Sequence, residues 1–217
     1  MKPTLAVLLK APHPGRVKTR LAATVGEAEA TAIYRRLVER QVSALPRPWN
    51  ATIHFDPPNA GEEMRAWLSP LRSGLAYLPQ SAGDLGARLN AAFVTHFSAG
   101  NRSVIALGGD CPGLDQTLLE SAREKLLSAD VVLGPSADGG YYLIGLNAPC
   151  AALFEGIPWS TPSTLARTRE AVRRQGLRYV ELPVLEDIDD APSWERAAQY
   201  FLPQDRLPQE HPAKSFP

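Results

Sequence analysis

Cysteine is scarce: Cys111 and Cys150 are the only two in 217 residues, too few for a disulfide framework. Histidine is scarce as well, and none of His13, His54, His96 and His211 falls in a metal-ligand spacing. Long apolar runs are missing. The stretches 4–9 and 104–107 fall far short of the ~20 residues that a membrane-spanning helix needs, so no membrane partner is expected. The opening MKPTLAVLLKAPHPG lacks a long apolar region and a small-residue cleavage site, which excludes a signal peptide and leaves a cytoplasmic location as the expectation. Neither sign of charge is in excess, with 23 Lys+Arg against 23 Asp+Glu, so no global field attracts nucleic acid. The phosphate-loop pattern G-x-x-x-x-G-K-[ST] is absent, and so is the nucleophile elbow G-x-S-x-G. Cys111 has no base beside it in sequence and reads as a packed residue.

What is present is an ordinary globular composition, 44% hydrophobic and 21% charged, at a length that suits one sizeable domain. We read residues 1–202 as that domain. The polar, proline-rich segment 203–217 reads as a flexible tail. Many of the 20 prolines (Pro12, Pro14, Pro46, Pro48, Pro57 and Pro58 among them) stiffen short connections. Apolar runs at 4–10, 51–56, 74–79, 103–108, 130–134 and 141–146 read as strands, several of them covered on both faces. Helical periodicity lies between them, from near Gly26, through Leu85–Leu89–Phe93 and Leu118–Leu119–Ala122, and over 162–175 and 192–201. The alternation predicts an α/β fold, a mostly parallel central sheet with helices on both faces. Ligands in such folds bind at the carboxyl ends of the strands.

The residues at those ends carry the chemistry. After the first strand, Lys10 leads into a loop with Gly15, Arg16, Lys18 and Arg20, where backbone N–H groups and fixed positive charge suit phosphate. After the fourth, Gly108 and Gly109 open the backbone and Asp110 presents a carboxylate; Mg²⁺ often takes only one or two of these. In the run 186–190, an extended backbone puts Asp187 and Asp189 on one side and buries Ile188 on the other. Brought near Asp110, they make an oxygen-ligand site for Mg²⁺ or Mn²⁺. Asp138, Gly139, Gly140 and Tyr141 leave room for a substrate, although Asp-Gly-Gly is also a hairpin signal. Gln80, Gly83 and Arg88 follow the third strand and are candidates for nucleotide contacts, with Asp84 a candidate helix cap.

Six stretches in order carry a family resemblance: KAPHPGRVKTRL, QSAGDLGARLNAAF, GGDCPGLD, VVLGPSADGGYYLIGL, FEGIPWSTPSTL and EDIDDAPSW, spanning 10–194. The chain resembles an uncharacterised bacterial family with a glycosyltransferase-A-like (nucleotide-diphospho-sugar transferase) fold. That family is related to the 2-phospholactate guanylyltransferases of deazaflavin-cofactor synthesis and, more distantly, to the molybdenum-cofactor guanylyltransferases. The resemblance implies that the first loop wraps nucleotide phosphates, assigning Arg16, Lys18 and Arg20. It makes Asp110 the metal ligand, with Asp189 the second ligand and Asp187 behind it; Asp110, Lys18 and Arg16 are then the catalytic set. Relatives tend to continue the last motif with Thr-Pro-Glu-Asp, where this chain has Asp190-Ala191-Pro192-Ser193, an altered helix cap. The expected partners are a nucleoside triphosphate or a nucleotide-sugar and a small-molecule acceptor. The cation-rich first loop favours nucleotidyl transfer with pyrophosphate release. Glycosyl transfer from a nucleotide-sugar is the alternative, and a non-catalytic nucleotide-binding protein a third reading.

Overall fold

The computed structural model describes residues 2–201, so the expected tail at 203–217 lies outside the described residues. Strands β1 (Thr4–Lys10), β2 (Ala51–Asp56), β3 (Leu75–Pro79), β4 (Val104–Leu107), β5 (Val131–Pro135), β6 (Tyr141–Leu146) and β7 (Tyr179–Glu181) form one sheet. Its order is β3-β2-β1-β4-β6-β5-β7. The sheet is parallel except at β6, which runs antiparallel to both β4 and β5. From β1 the chain winds outward through β2 to β3, then returns to place β4 on the other side of β1. That reversal opens a crevice at the carboxyl ends of β1 and β4, where open α/β sheets bind ligands.

Burial explains why the apolar runs form strands. Along β1, Leu5, Val7 and Leu9 pack into one core while Ala6 packs into another on the opposite face, the alternation that a strand imposes. Strand β4 divides in the same way, Ile105 and Leu107 against Val104 and Ala106. Helices α2 (Glu27–Ala44), α3 (Gly61–Leu68) and α5 (Gln116–Lys125) cover the first face; α4 (Leu85–Ser98) and α6 (Thr164–Arg174) cover the second. A third cluster joins Leu21 of α1 (Thr19–Val25) and Ile33 and Leu37 of α2 to Ile188 and Trp194, docking α7 (Ala191–Arg196) and the acidic segment before it.

Boundaries differ from the expected ones by a residue or two: β3 begins at Leu75, β4 is limited to Val104–Leu107 and β5 is shifted to Val131–Pro135. Elements not expected include α3 and the three-residue β7. The last helix, expected over 192–201, is α7 followed by a 3₁₀ turn at Ala197–Tyr200. Asp-Gly-Gly does form a hairpin turn, between β5 and β6. Gly139 sits there at φ +89°, and a Cβ on it would fall 2.2 Å from the Pro162 carbonyl oxygen.

Candidate active site

A cleft of about 630 Å³ opens at the carboxyl ends of β1 and β4. At its floor, Asp110 follows β4 and accepts a hydrogen bond from the Gly109 N–H at 3.1 Å. Its other oxygen faces the Lys18 ammonium at 2.8 Å. Lys18 comes from the far side of the crevice, in the loop after β1, and also reaches Asp189 Oδ1 at 3.3 Å. Arg20 meets the second Asp189 oxygen at 3.4 Å.

The acidic segment is held against β4 by its backbone: the Ile188 N–H donates to the Asp110 carbonyl at 3.1 Å. With Ile188 buried, Asp187 and Asp189 both turn into the cleft, as the alternation predicts. The altered cap remains a working one. Asp190 accepts from the Ser193 N–H at 2.8 Å, and the Ser193 hydroxyl accepts from the N–H groups of Asp189 (3.0 Å) and Asp190 (3.1 Å). This capping box fixes the backbone that aims Asp189.

Charge sets the protonation of the site. Burial works against the charged forms of Lys18 and Asp110, but their mutual attraction and hydrogen bond outweigh it. The lysine is held above its usual range and the carboxyl below its own. Asp187 is pushed up to about 7, first by burial and then by the charges of Asp110 and Asp138; Lys18 and the Ser136 hydroxyl offset this only in part. Cys111 is buried, and its thiol is raised by burial and by Asp187 and Asp110, which fits a packed residue rather than a nucleophile.

The other candidates divide. Lys10 extends into the cleft from the end of β1, whose backbone is pinned on both sides by the Tyr34 hydroxyl. Gln80 and Arg88 reach the cleft wall, but the protein already uses their polar groups. The Gln80 amide donates to the carbonyls of Leu9 (2.9 Å) and His54 (2.8 Å), and Arg88 bonds Gln80, the Gly83 carbonyl and Asp56. They brace the ends of β1 and β2. Asp84 is the cap of α4, accepting from the Ala87 N–H at 2.9 Å. Asp138 accepts from the Ser136 hydroxyl (2.6 Å) and the Gly140 N–H (2.9 Å), shaping the hairpin at the cleft edge beside Gly140 and Tyr141. Gly139 is filled by Pro162 on its open side, and Gly15 by Glu27. Arg16 is exposed and lies outside the cleft lining.

Among the lining residues not singled out from the sequence are Trp159, Ser160 and Thr161, in the loop that leads into α6, and Thr164 at its first position. The Trp159 ring meets Tyr141 edge-on with centroids 6.3 Å apart, and Ser160 adopts a left-handed φ of 59°. The motif FEGIPWSTPSTL contained them, and an aromatic followed by three hydroxyl side chains ahead of a helix is the signal that was available. A further support, Gln41 on α2, donates through its amide to the Gly108 carbonyl and steadies the turn after β4.

Asp110, Asp187 and Asp189 converge on one end of the cleft as hard oxygen donors, the set that suits Mg²⁺ or Mn²⁺. Among the described residues they do not close on a common centre as a preformed cage, and the Lys18 ammonium bridges Asp110 and Asp189. Two carboxylates suffice for Mg²⁺ when water and phosphate oxygens complete the shell, so the residues fit the ion. No helix among the described residues is long and apolar enough to cross a membrane.

The sheet order, a cleft that joins cations after β1 to Asp110 after β4 and the acidic segment before α7, and the relatives below mark an enzyme of the nucleotidyltransferase or nucleotide-diphospho-sugar transferase type. The chain belongs to the DUF2064 family, described as "Uncharacterized protein conserved in bacteria", whose model matches residues 41–161. A solved structure from Desulfovibrio desulfuricans, described as a nucleotide-diphospho-sugar transferase, is 33% identical with a TM-score of 0.80, covering 88% of this chain and 84% of that one. The phosphoenolpyruvate guanylyltransferase of Chloroflexus aggregans is 28% identical over 196 residues, which is 84% of this chain and 90% of that protein. Rv0371c of Mycobacterium tuberculosis, solved in complex with manganese, shares the fold at 15% identity and a TM-score of 0.52, covering 91% and 99%.

Proposed function

We propose that the protein is a divalent-metal-dependent nucleotidyltransferase that moves a nucleoside monophosphate from a nucleoside triphosphate to an anionic small-molecule acceptor. The observation that carries this reading is the meeting of Lys18 with Asp110 and Asp189 at the switch point of the sheet, flanked by Lys10, Arg20 and Asp187. An acceptor oxygen attacks the α-phosphorus, the α–β phosphoanhydride bond breaks, and pyrophosphate leaves with the electron pair. Lys10, Lys18 and Arg20 offer the positive charge that holds the triphosphate and the departing pyrophosphate. Asp110 and Asp187 are the carboxylates for Mg²⁺ or Mn²⁺, with Asp189 adjoining. Asp187 ranks before Asp189 because no ion pair within 4.0 Å neutralises it among the described residues, whereas Asp189 already has two cations. When bound, the ion neutralises charge on the phosphates. The wall formed by Asp138, Gly140, Tyr141 and Trp159 is the acceptor side of the cleft.

The likeness to the Chloroflexus aggregans enzyme supports guanylyl transfer to phosphoenolpyruvate or a similar phosphorylated acid. Glycosyl transfer from a nucleotide-sugar is the second reading, favoured by the Desulfovibrio desulfuricans relative. A thermal-shift screen with nucleoside triphosphates and nucleotide-sugars, with and without Mg²⁺ or Mn²⁺, separates the two. We expect a metal-dependent rise in Tm with a triphosphate, GTP first. A rise confined to nucleotide-sugars would replace the first reading with the second.

A further inference from the structure

Lys18 differs from the other cations of the cleft in being almost wholly removed from solvent, with a side chain 4% exposed against 71% for Arg20. A buried ammonium persists only with counter-charge, and two carboxylates supply it, Asp110 at 2.8 Å and Asp189 at 3.3 Å. Its backbone lies at φ 48° in the left-handed region, uncommon for a residue with a side chain. The loop therefore puts this ammonium between the two carboxylates against local preference. A divalent ion held through Asp110, with Asp189 adjoining, needs the Asp110 carboxylate at roughly 2.1 Å for Mg²⁺, so the ammonium already on that carboxylate and the ion exclude each other.

We propose that Lys18 is a built-in counter-ion that occupies the divalent-cation position in the nucleotide-free protein, so that the metal enters only with a nucleotide whose phosphates draw the ammonium away. This rests on the metal-dependent reading above. Departure of Lys18 leaves neither carboxylate bare: Asp110 keeps the Gly109 N–H and Asp189 keeps Arg20. Asp110 and Asp189 are thus held together without metal, and the lysine exchanges one anionic partner for another as nucleotide binds.

The test is a Mn²⁺ titration of nucleotide-free protein, following the free-ion signal by electron paramagnetic resonance, in wild type, Lys18→Met and Lys18→Met with Asp110→Asn. Wild type should hold Mn²⁺ weakly alone and firmly once GTP is added. Lys18→Met, which keeps the length of the stem and removes the charge, should bind Mn²⁺ at least tenfold more tightly than wild type without nucleotide. The double variant should lose that gain. Lys18→Gln serves in the same titration if the methionine variant does not fold. A Lys18 variant that binds Mn²⁺ no more tightly than wild type overturns the counter-ion role, and retention of Mn²⁺ by wild type with GTP then leaves the metal-dependent reading standing. Failure of wild type to retain Mn²⁺ even with GTP overturns both.

Discussion

Acid should destabilise this protein through a pair of histidines remote from the chemistry. His54 on β2 and His96 on α4 are 4% and 6% exposed, with their Nε2 atoms 3.0 Å apart and their rings edge-on. One N–H fits between those nitrogens; a second proton sets two donors against each other. Burial first, and the neighbouring His96 second, hold His54 down to about 4, and burial lowers His96 as well. In the unfolded chain both return to about 6.5. The folded state thus refuses protons that the unfolded chain accepts, so this contribution is complete above pH 6.5 and is lost as pH falls toward 4. For His54 alone a depression of about 2.5 units is worth roughly 3.5 kcal/mol in full at ~1.4 kcal/mol each, of which about 2.5 kcal/mol is lost by pH 4.5. Asp187 acts in the opposite sense over part of the same range. Its raised carboxyl keeps a proton that the unfolded chain releases above about 4, so its contribution falls as pH rises. The informative quantity is therefore the difference between wild type and His54→Gln/His96→Gln, in which Asp187 cancels. Urea unfolding at pH 7.5 and 4.5 should show wild type losing at least 2 kcal/mol more than the double variant. Equal losses would mean that the two buried rings do not exclude protons in the folded state.

Two substitutions test how the cleft is built. Gly139→Ala puts a Cβ into the Pro162 backbone at φ +89°, and thermal unfolding should show a loss of about 2–3 kcal/mol. An unchanged Tm would mean that the hairpin and the loop before α6 are not packed as described. Ser193→Ala removes the capping box and the acceptor for the Asp189 and Asp190 N–H groups, costing about 1 kcal/mol by urea unfolding. Calorimetry should show a larger proportional loss of metal–nucleotide affinity in the same variant, because the backbone aiming Asp189 loosens.

The strands were legible wherever both faces are buried, because β1, β4 and β5 then appear as unbroken apolar runs. Strand β7 gave no such signal: Tyr179, Val180 and Glu181 are half-buried and only three residues long. Helix α3 was hidden differently. Met64, Trp67 and Leu68 have the right spacing, but Pro57, Pro58 and Gly61 just before them read as loop. In the cleft, position after a strand pointed to Lys18 and Asp110, and alternation about Ile188 pointed to Asp187 and Asp189. Their pairing was not legible, since Lys18 and Asp189 meet across 171 residues of chain. Equally hidden was the use of Gln80 and Arg88 as braces for the sheet, because a polar side chain that satisfies a strand-end carbonyl looks in sequence like one that awaits a ligand. Trp159 entered the cleft only through the packing of its loop against Tyr141 and Gly86.

The role of Asp110 and its partners in metal-dependent nucleotidyl transfer can be followed by ³¹P NMR of a reaction mixture holding wild type or Asp110→Asn, Mg²⁺, a nucleoside triphosphate and a phosphorylated carboxylic acid. In wild type, pyrophosphate should appear in step with a new diphosphate (P–O–P) linkage between the nucleoside monophosphate and the acceptor phosphate. In Asp110→Asn, checked for folding by circular dichroism, the rate should fall at least about 100-fold. Pyrophosphate release at the wild-type rate from Asp110→Asn would contradict that role, as would wild type that leaves every triphosphate intact while releasing a nucleoside diphosphate from a nucleotide-sugar.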